Sequence, residues 1–288
     1  MHITAKTKKV GLLGWPLGHS LSPAMHNAAF AVSGLDYVYL PLSTPPDLLP
    51  QAVAGIKALG FVGVNVTIPH KVTIMDYLDE VDTSAKLVGA VNTIVVKEER
   101  LIGYNTDADG YIRSLEQAGI AVAGKSAVIF GAGGAARAVI AGLASANIAS
   151  VTIGARDQSK ADGIAQLFAG TVPVNGVAWD SNAFAAALSQ TNLVVNATPL
   201  GMYPAIASQP SVHWDLLQQS VAISDLVYNP PITGFIAEGT RRGHTVVGGA
   251  GMLIEQGALA FELWTGCKAD TQVMRQALLA GLEAINKN

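Results

Sequence analysis

AVIFGAGGAA, residues 127–136, reads as an apolar strand that runs into a glycine-rich turn and then opens a helix. Gly131, Gly133 and Ala136 fill the three positions of a G-x-G-x-x-(G/A) pattern, and strand before, helix after, is the context that pattern requires. The first glycine makes the tight turn and the second lets backbone approach a pyrophosphate. Gly134 and Ala135 add little bulk where the helix N-terminus offers its free N–H groups. Working outward, short apolar runs at 127–130, 151–153, 172–174, 193–196, 221–225 and 245–247 are separated, in the early part, by helical stretches. That alternation predicts a doubly wound parallel sheet of six strands over residues 108–251, a dinucleotide-binding domain of Rossmann type.

Upstream, runs at 10–13 and 37–42 predict strands around a helix that starts near Pro23, a βαβ unit. A helix over 47–59, a strand over 61–67, a helix over 70–78 and a hairpin of 92–96 with 101–104 follow, giving residues 1–107 an α/β fold with a mixed sheet. Residues 108–110, Ala-Asp-Gly, read as a turn before a helix over 111–118, and the segment 252–288 reads as helical.

Of the 288 residues half are hydrophobic, only 14% are charged, and the net charge is −3 with no block of Lys and Arg. These values argue against nucleic acid or an anionic membrane as the main partner and for a small-molecule ligand. Cys267 is the sole cysteine, so no intramolecular disulfide can form, and neither CxxC nor a zinc-like Cys/His spacing exists. No carboxylate or cysteine stands at zinc-like spacing from His19, His26 or His70, so no metal site is expected; His26 and His70 read as packing or hydrogen-bonding residues. His213 and His244 read as surface residues, Phe261 and Trp264 as core. The polar first ten residues lead into no long apolar segment, and glycines break up 126–155, which together point to a cytoplasmic protein, monomer or homodimer.

The second informative stretch is GWPLGHSLSPAMHN, residues 14–27, where Ser20 and Ser22 stand two apart beside Pro23 and can both point at one carboxylate. Lys71, after a strand and Pro69, falls at the carboxyl end of that strand, where open α/β sheets place their ligands. Then come NVTIPHK at 65–71, Asn92, NTD at 105–107, the glycine turn, and GMLIEQ at 251–256. In that order the chain resembles the shikimate/quinate dehydrogenases over nearly its whole length. The resemblance implies a Lys71/Asp107 dyad that moves the proton while a hydride moves to or from a nicotinamide. It implies a substrate site of Ser20, Ser22, Asn65, Thr67, Asn92, Tyr228 and Gln256, and a nicotinamide side lined by Thr198, Leu226, Gly249 and Met252. It also implies that 252–288 completes the first domain, which binds substrate. Shikimate, quinate or an amino analogue are the substrates to choose among, and a ligand sensor without turnover is the rival from another class.

Cofactor choice turns on residues 155–157. Relatives that use NADP commonly show Asn-Arg-Thr there, then another basic residue; this chain has Ala155, Arg156 and Asp157, with Lys160 beyond. A carboxylate at 157 would repel a 2′-phosphate, so NAD is the expected cofactor, with NADP as the alternative and Arg156 either gripping the phosphate or stacking on the adenine. Gly248 stands where an aspartate is common.

Overall fold

The computed structural model describes residues 3–286 and divides into two compact units, Met1–Thr106 with Ile254–Asn288, and Asp107–Leu253. One boundary falls at the start of a helix, between Thr106 and Asp107, and the other within the helix Gly249–Thr265.

The first unit carries β1 (Lys8–Gly14), α1 (Ser22–Val32), β2 (Tyr37–Ser43), α2 (Leu49–Ala58), β3 (Phe61–Val66), β4 (Glu80–Val81), α3 (Thr83–Val88), β5 (Thr93–Lys97) and β6 (Arg100–Tyr104). Its sheet runs β2-β1-β3-β5-β6-β4, parallel from β2 to β3 and between β6 and β4, antiparallel across β5. The mixed sheet is therefore as expected, but residues 70–78 do not form the predicted helix. A 3-10 turn over Thr73–Tyr77 stands there; the two-residue β4 comes after it, and α3 follows, started by Asp82, whose carboxylate accepts from Ser84 N at 2.9 Å, and ended by Gly89 at φ 68°. The segment is short and carries three β-branched residues in a row, Val72, Thr73 and Ile74, both of which work against a full α-helix, so short turns satisfy the backbone instead.

The second unit opens with α4 (Asp107–Gln117) and continues through β7 (Ser126–Phe130), α5 (Gly134–Ser145), β8 (Ser150–Ala155), α6 (Gln158–Leu167), β9 (Val174–Ala178), α7 (Asn182–Gln190), β10 (Leu193–Asn196), β11 (Ala222–Asp225), α8 (Gly234–Arg241) and β12 (Val246–Val247). Every pairing is parallel and the order is β12-β11-β10-β7-β8-β9, the doubly wound order with its switch point between β7 and β10. Two details differ from the sequence reading. The third strand starts at Val174, the last residue of the predicted run, and residues 108–110 are not a turn, because α4 begins at Asp107 and buries Ala108 and Gly110. Gly142 of α5 makes that burial practicable, since a side chain there would meet the Ala108 carbonyl at 2.6 Å.

The chain ends with α9 (Gly249–Thr265) and α10 (Thr271–Asn286). Within the first unit, α10 packs on α1, with Gly281 seated against Leu21. Trp264 of α9 donates from Nε1 to the Ile94 carbonyl at 3.0 Å, directly over Gly63 of β3. Phe261 and Trp264 are core, as expected. His244 is not a surface residue: it is 8% exposed and its Nδ1 lies 3.0 Å from the Val221 carbonyl. No helix among the described residues is long and apolar enough to cross a membrane.

Candidate functional site

In the first unit the candidate substrate residues gather at the carboxyl ends of β1 and β3. Ser22 opens α1, and its N–H lies 3.4 Å from Ser20 Oγ, so one short turn carries both hydroxyls. Gly14 ends β1 against Thr67, which follows β3; a Cβ at Gly14 would run into the Thr67 methyl. The segment bearing Lys71 is tied down on both sides. His70 Nε2 lies 2.8 Å from the Thr44 carbonyl, and Val91 N donates to the Lys71 carbonyl at 2.8 Å, which fixes where the lysine side chain starts.

Asn65 and Asn92 belong to one polar chain. Tyr39 donates from its hydroxyl to Asn65 Oδ1 at 2.8 Å, and Asn65 Nδ2 donates to Thr93 Oγ1 at 3.0 Å and to the Asn92 carbonyl at 3.3 Å. Thr93 donates to Asn92 Oδ1 at 3.0 Å, which also accepts from Thr106 N at 2.8 Å. Asn92 Nδ2 then donates to Thr106 Oγ1 at 2.9 Å and, more weakly, to Gln256 Oε1 at 3.5 Å. Sequence reasoning found Asn65, Asn92 and Gln256 but not Tyr39, Thr93 or Thr106 as their supports. Tyr39 sits in the alternating run 37–42 and Thr93 next to Asn92, yet neither position announces a polar contact before the strands are paired.

His26 packs without hydrogen-bonding: it is fully buried, its ring stacks on Tyr39 at 4.4 Å and 3°, and neither ring nitrogen has a hydrogen-bond partner. Burial pushes it down to about 3, so it is a neutral aromatic plate at physiological pH.

In the second unit the fingerprint lies at the switch point. Gly131 takes φ +104°, and a Cβ there would meet the Thr198 methyl at 2.9 Å and the Ala197 carbonyl at 3.0 Å, so β7 and β10 turn out side by side. Gly133 caps α5 without any side-chain hydrogen bond, and Gly134 and Ala135 are exposed. The helix N-terminus is thus bare, at a turn whose Gly131 has no room for a side chain, the kind of place that can take a phosphate. Leu226 follows β11, and a Cβ on Gly249 would collide with its carbonyl, so these two candidates meet as well; Met252 is on the first turn of α9. Tyr228 lies two residues past Leu226, half-buried, with burial raising its hydroxyl above the usual phenol range. Asp107 is the first residue of α4, next in the chain after Thr106.

After β8, Arg156 is exposed, its guanidinium carbon 5.9 Å from the centre of the Trp179 ring. Asp157 caps α6, its Oδ1 accepting from Ser159 N at 3.1 Å and Ser159 Oγ at 2.6 Å, and the Ser159 hydroxyl holds it below the usual carboxylate range.

A further residue that sequence reading missed ties together the loops that carry Thr198 and Leu226. Asp225, buried at the end of β11, accepts from Thr233 Oγ1 at 2.6 Å, Asn196 Nδ2 at 2.9 Å and Val227 N at 3.0 Å, and Asn196 in turn accepts from Thr198 Oγ1 at 2.6 Å. Burial pushes Asp225 up to about 6, despite those donors. An unfolded aspartate titrates near 3.9, so the folded state binds this proton more tightly. Its contribution to stability is complete below about pH 4 and is lost as pH rises through about 6, a swing of roughly 3 kcal/mol. Asp225→Asn is therefore expected to gain on the wild type as pH rises from 4 to 7; denaturant melts at a series of pH values check this, and parallel curves refute it.

An all-parallel sheet in dinucleotide-binding order, with an unblocked glycine cradle at its switch point, defines a dinucleotide-binding α/β protein, here joined to a second α/β unit rich in inward-facing amides and hydroxyls. The particular family follows from comparison with known proteins. Residues 12–94 match the shikimate dehydrogenase substrate binding domain and residues 249–279 the shikimate 5′-dehydrogenase C-terminal domain. A shikimate dehydrogenase (NADP+) of Methanopyrus kandleri is 46% identical over 283 residues, covering 97% of this chain and 98% of that one. A crystal structure of shikimate 5-dehydrogenase from Listeria monocytogenes in complex with shikimate and NAD aligns at TM-score 0.91 and 35% identity, over 96% of this chain and 98% of that one. A 5-ketofructose reductase of Gluconobacter aligns at TM-score 0.90 and 36% identity, over 98% of this chain and all of that one. The chain belongs to the shikimate dehydrogenase family.

Proposed function

We propose that this chain is a shikimate dehydrogenase that interconverts shikimate and 3-dehydroshikimate with NADP. The observation that carries the substrate half is the polar chain from Tyr39 to Gln256, which presents two oriented amides in the same unit as the Ser20/Ser22 pair, a donor and acceptor set suited to a polyhydroxylated carboxylic acid. Ser20 and Ser22 take the carboxylate, with Tyr228 as a further donor, while Asn65, Thr67, Asn92 and Gln256 bind ring hydroxyls.

Gly131, Gly133, Gly134 and Ala135 hold the pyrophosphate, and Thr198, Leu226, Gly249 and Met252 line the nicotinamide. A nicotinamide held by these residues would supply the hydride acceptor or donor. In alcohol oxidation Lys71 takes the hydroxyl proton as the carbonyl forms, and in reduction its ammonium returns a proton to the carbonyl oxygen. Asp107 orients the lysine and shares a hydrogen bond with the reacting hydroxyl.

The expected preference for NAD gives way to NADP for a physical reason as well as on the names of the relatives. The Asp157 carboxylate is engaged in capping α6, and Arg156 beside it is an exposed cation backed by the Trp179 ring, able to meet a 2′-phosphate with the N–H donors along its edge. Arg156→Ala is expected to raise KM for NADP about tenfold and to leave KM for NAD within about twofold. Equal effects on both cofactors would place Arg156 on the adenine instead.

Absorbance at 340 nm, with shikimate and with quinate, each with NAD and with NADP, tests the whole reading. Turnover fastest with shikimate and NADP is expected. Preference for quinate would reassign the substrate, and binding without turnover in any combination would favour a sensor.

A further inference from the structure

Tyr39 is buried at 1% exposure in the middle of β2, with its ring pressed against His26 and near Trp264. A tyrosine there keeps its hydroxyl only if the oxygen has polar company, and its partner is itself a candidate substrate residue on another strand. That partner is Asn65 Oδ1 on β3, at 2.8 Å.

The direction of these bonds is fixed. Asn92 Oδ1 accepts from a backbone N–H, that of Thr106, and the Asn92 carbonyl can only accept, so both hydrogens of Asn65 Nδ2 are spent on Thr93 Oγ1 and Asn92 O. Asn65 Oδ1 therefore faces Tyr39, and Tyr39 has to give it its single proton. What remains to Asn65 is the second lone pair of Oδ1.

We propose that Tyr39 is a positioning residue of the substrate site: it holds Asn65 Oδ1 so that Asn65 meets a substrate hydroxyl only as an acceptor. The neutral His26 plate keeps the ring plane in place while the hydroxyl does this. The inference rests on the substrate reading given above.

Tyr39→Phe keeps the ring and its stacking and removes only the oxygen. The expected result is a rise of about tenfold in KM and in the calorimetric Kd for shikimate, with kcat within about twofold of wild type. In an Asn65→Ala background the same substitution is expected to change Kd by less than about twofold, because its target is gone. A merely structural role would lower kcat and KM behaviour alike and act equally in both backgrounds; that result, or an unchanged Kd in the single variant, overturns the proposal. Thermal melts of all four proteins identify any loss from misfolding, and Tyr39→Trp, which refills the volume without reproducing the bond, must then weaken shikimate binding as well. A wild-type protein that neither binds nor turns over shikimate removes the substrate reading and this inference with it, whereas wild-type binding with no effect at Tyr39 removes this inference alone.

Discussion

Lys71→Met is expected to lower kcat about a thousandfold while leaving the KM for shikimate within severalfold of wild type. Oxidising a secondary alcohol needs a place for the hydroxyl proton as the hydride leaves, and a thioether of similar length has none to offer. The backbone contacts that fix this position do not involve the side chain: the Lys71 carbonyl accepts from Val91 N, and the neighbouring His70 is held at the Thr44 carbonyl. The variant should therefore fold, and unchanged circular dichroism with unchanged cofactor binding would establish that it has. A kcat within tenfold of wild type would mean that Lys71 is not the proton carrier and would send the search to the other ionisable groups of the two units.

The largest effect on stability is expected at Gly63. This glycine lies in β3, paired with Val95 of β5, and the indole of Trp264 crosses directly above it to reach the Ile94 carbonyl. A methyl group on Gly63 would overlap both that carbonyl and the indole nitrogen. Backbone on one side and a fully packed ring on the other leave nothing flexible to move. Trp264 is also contacted from Tyr37, whose hydroxyl donates to its carbonyl at 3.3 Å, and its ring touches those of His26 and Tyr39. Gly63→Ala should break the indole hydrogen bond and displace α9, at a cost of about 3 kcal/mol or more. For a chain of this size that amounts to a fall of roughly 10 °C in melting temperature, with a red shift in tryptophan emission as the indole loses its cover. A change under about 2 °C would mean that the sheet absorbs the methyl and that the contact is less rigid than its geometry implies.

Much of this was legible before any coordinates. The glycine turn at 131–136 and the apolar runs around it led to the six-stranded parallel sheet, because each signal is local: a strand's hydrophobicity and a turn's need for glycine are written in consecutive residues. Ser20, Ser22, Asn65, Asn92 and Gln256 were legible only as members of an ordered set of motifs. What stayed hidden depends on residues far apart in the chain. Tyr39 looked like a strand residue, and its hydroxyl acquired meaning only when β1, lying between β2 and β3, brought Asn65 within 2.8 Å. Asp225 looked like the end of an apolar strand, and its three donors come from three separate segments. The capping role of Asp157 stayed hidden for the opposite reason: its partner, Ser159, is only two residues away, but a carboxylate weighed solely against a phosphate conceals its part as a helix cap. His244 was misjudged because a polar residue beside Gly243 reads as a loop, whereas the ring turns inward to a backbone carbonyl.

The way the first unit is assembled bears on how the protein is made. Its sheet, complete by Tyr104, depends on α9 and α10 for the cover over His26, Phe30 and Leu21, and those helices lie on the far side of some 150 residues of intervening chain. During synthesis the second unit, being continuous in sequence, can close as soon as its own last strand emerges, while the unit begun first waits with one face bare. The nascent chain thus carries an uncapped aromatic surface for the time needed to translate the middle of the gene, roughly ten seconds or more at ordinary elongation rates. That interval is the window in which a chaperone has most to offer this protein, and substitutions that weaken the late-arriving helices should cost more in yield from cells than in the stability of molecules that have already folded.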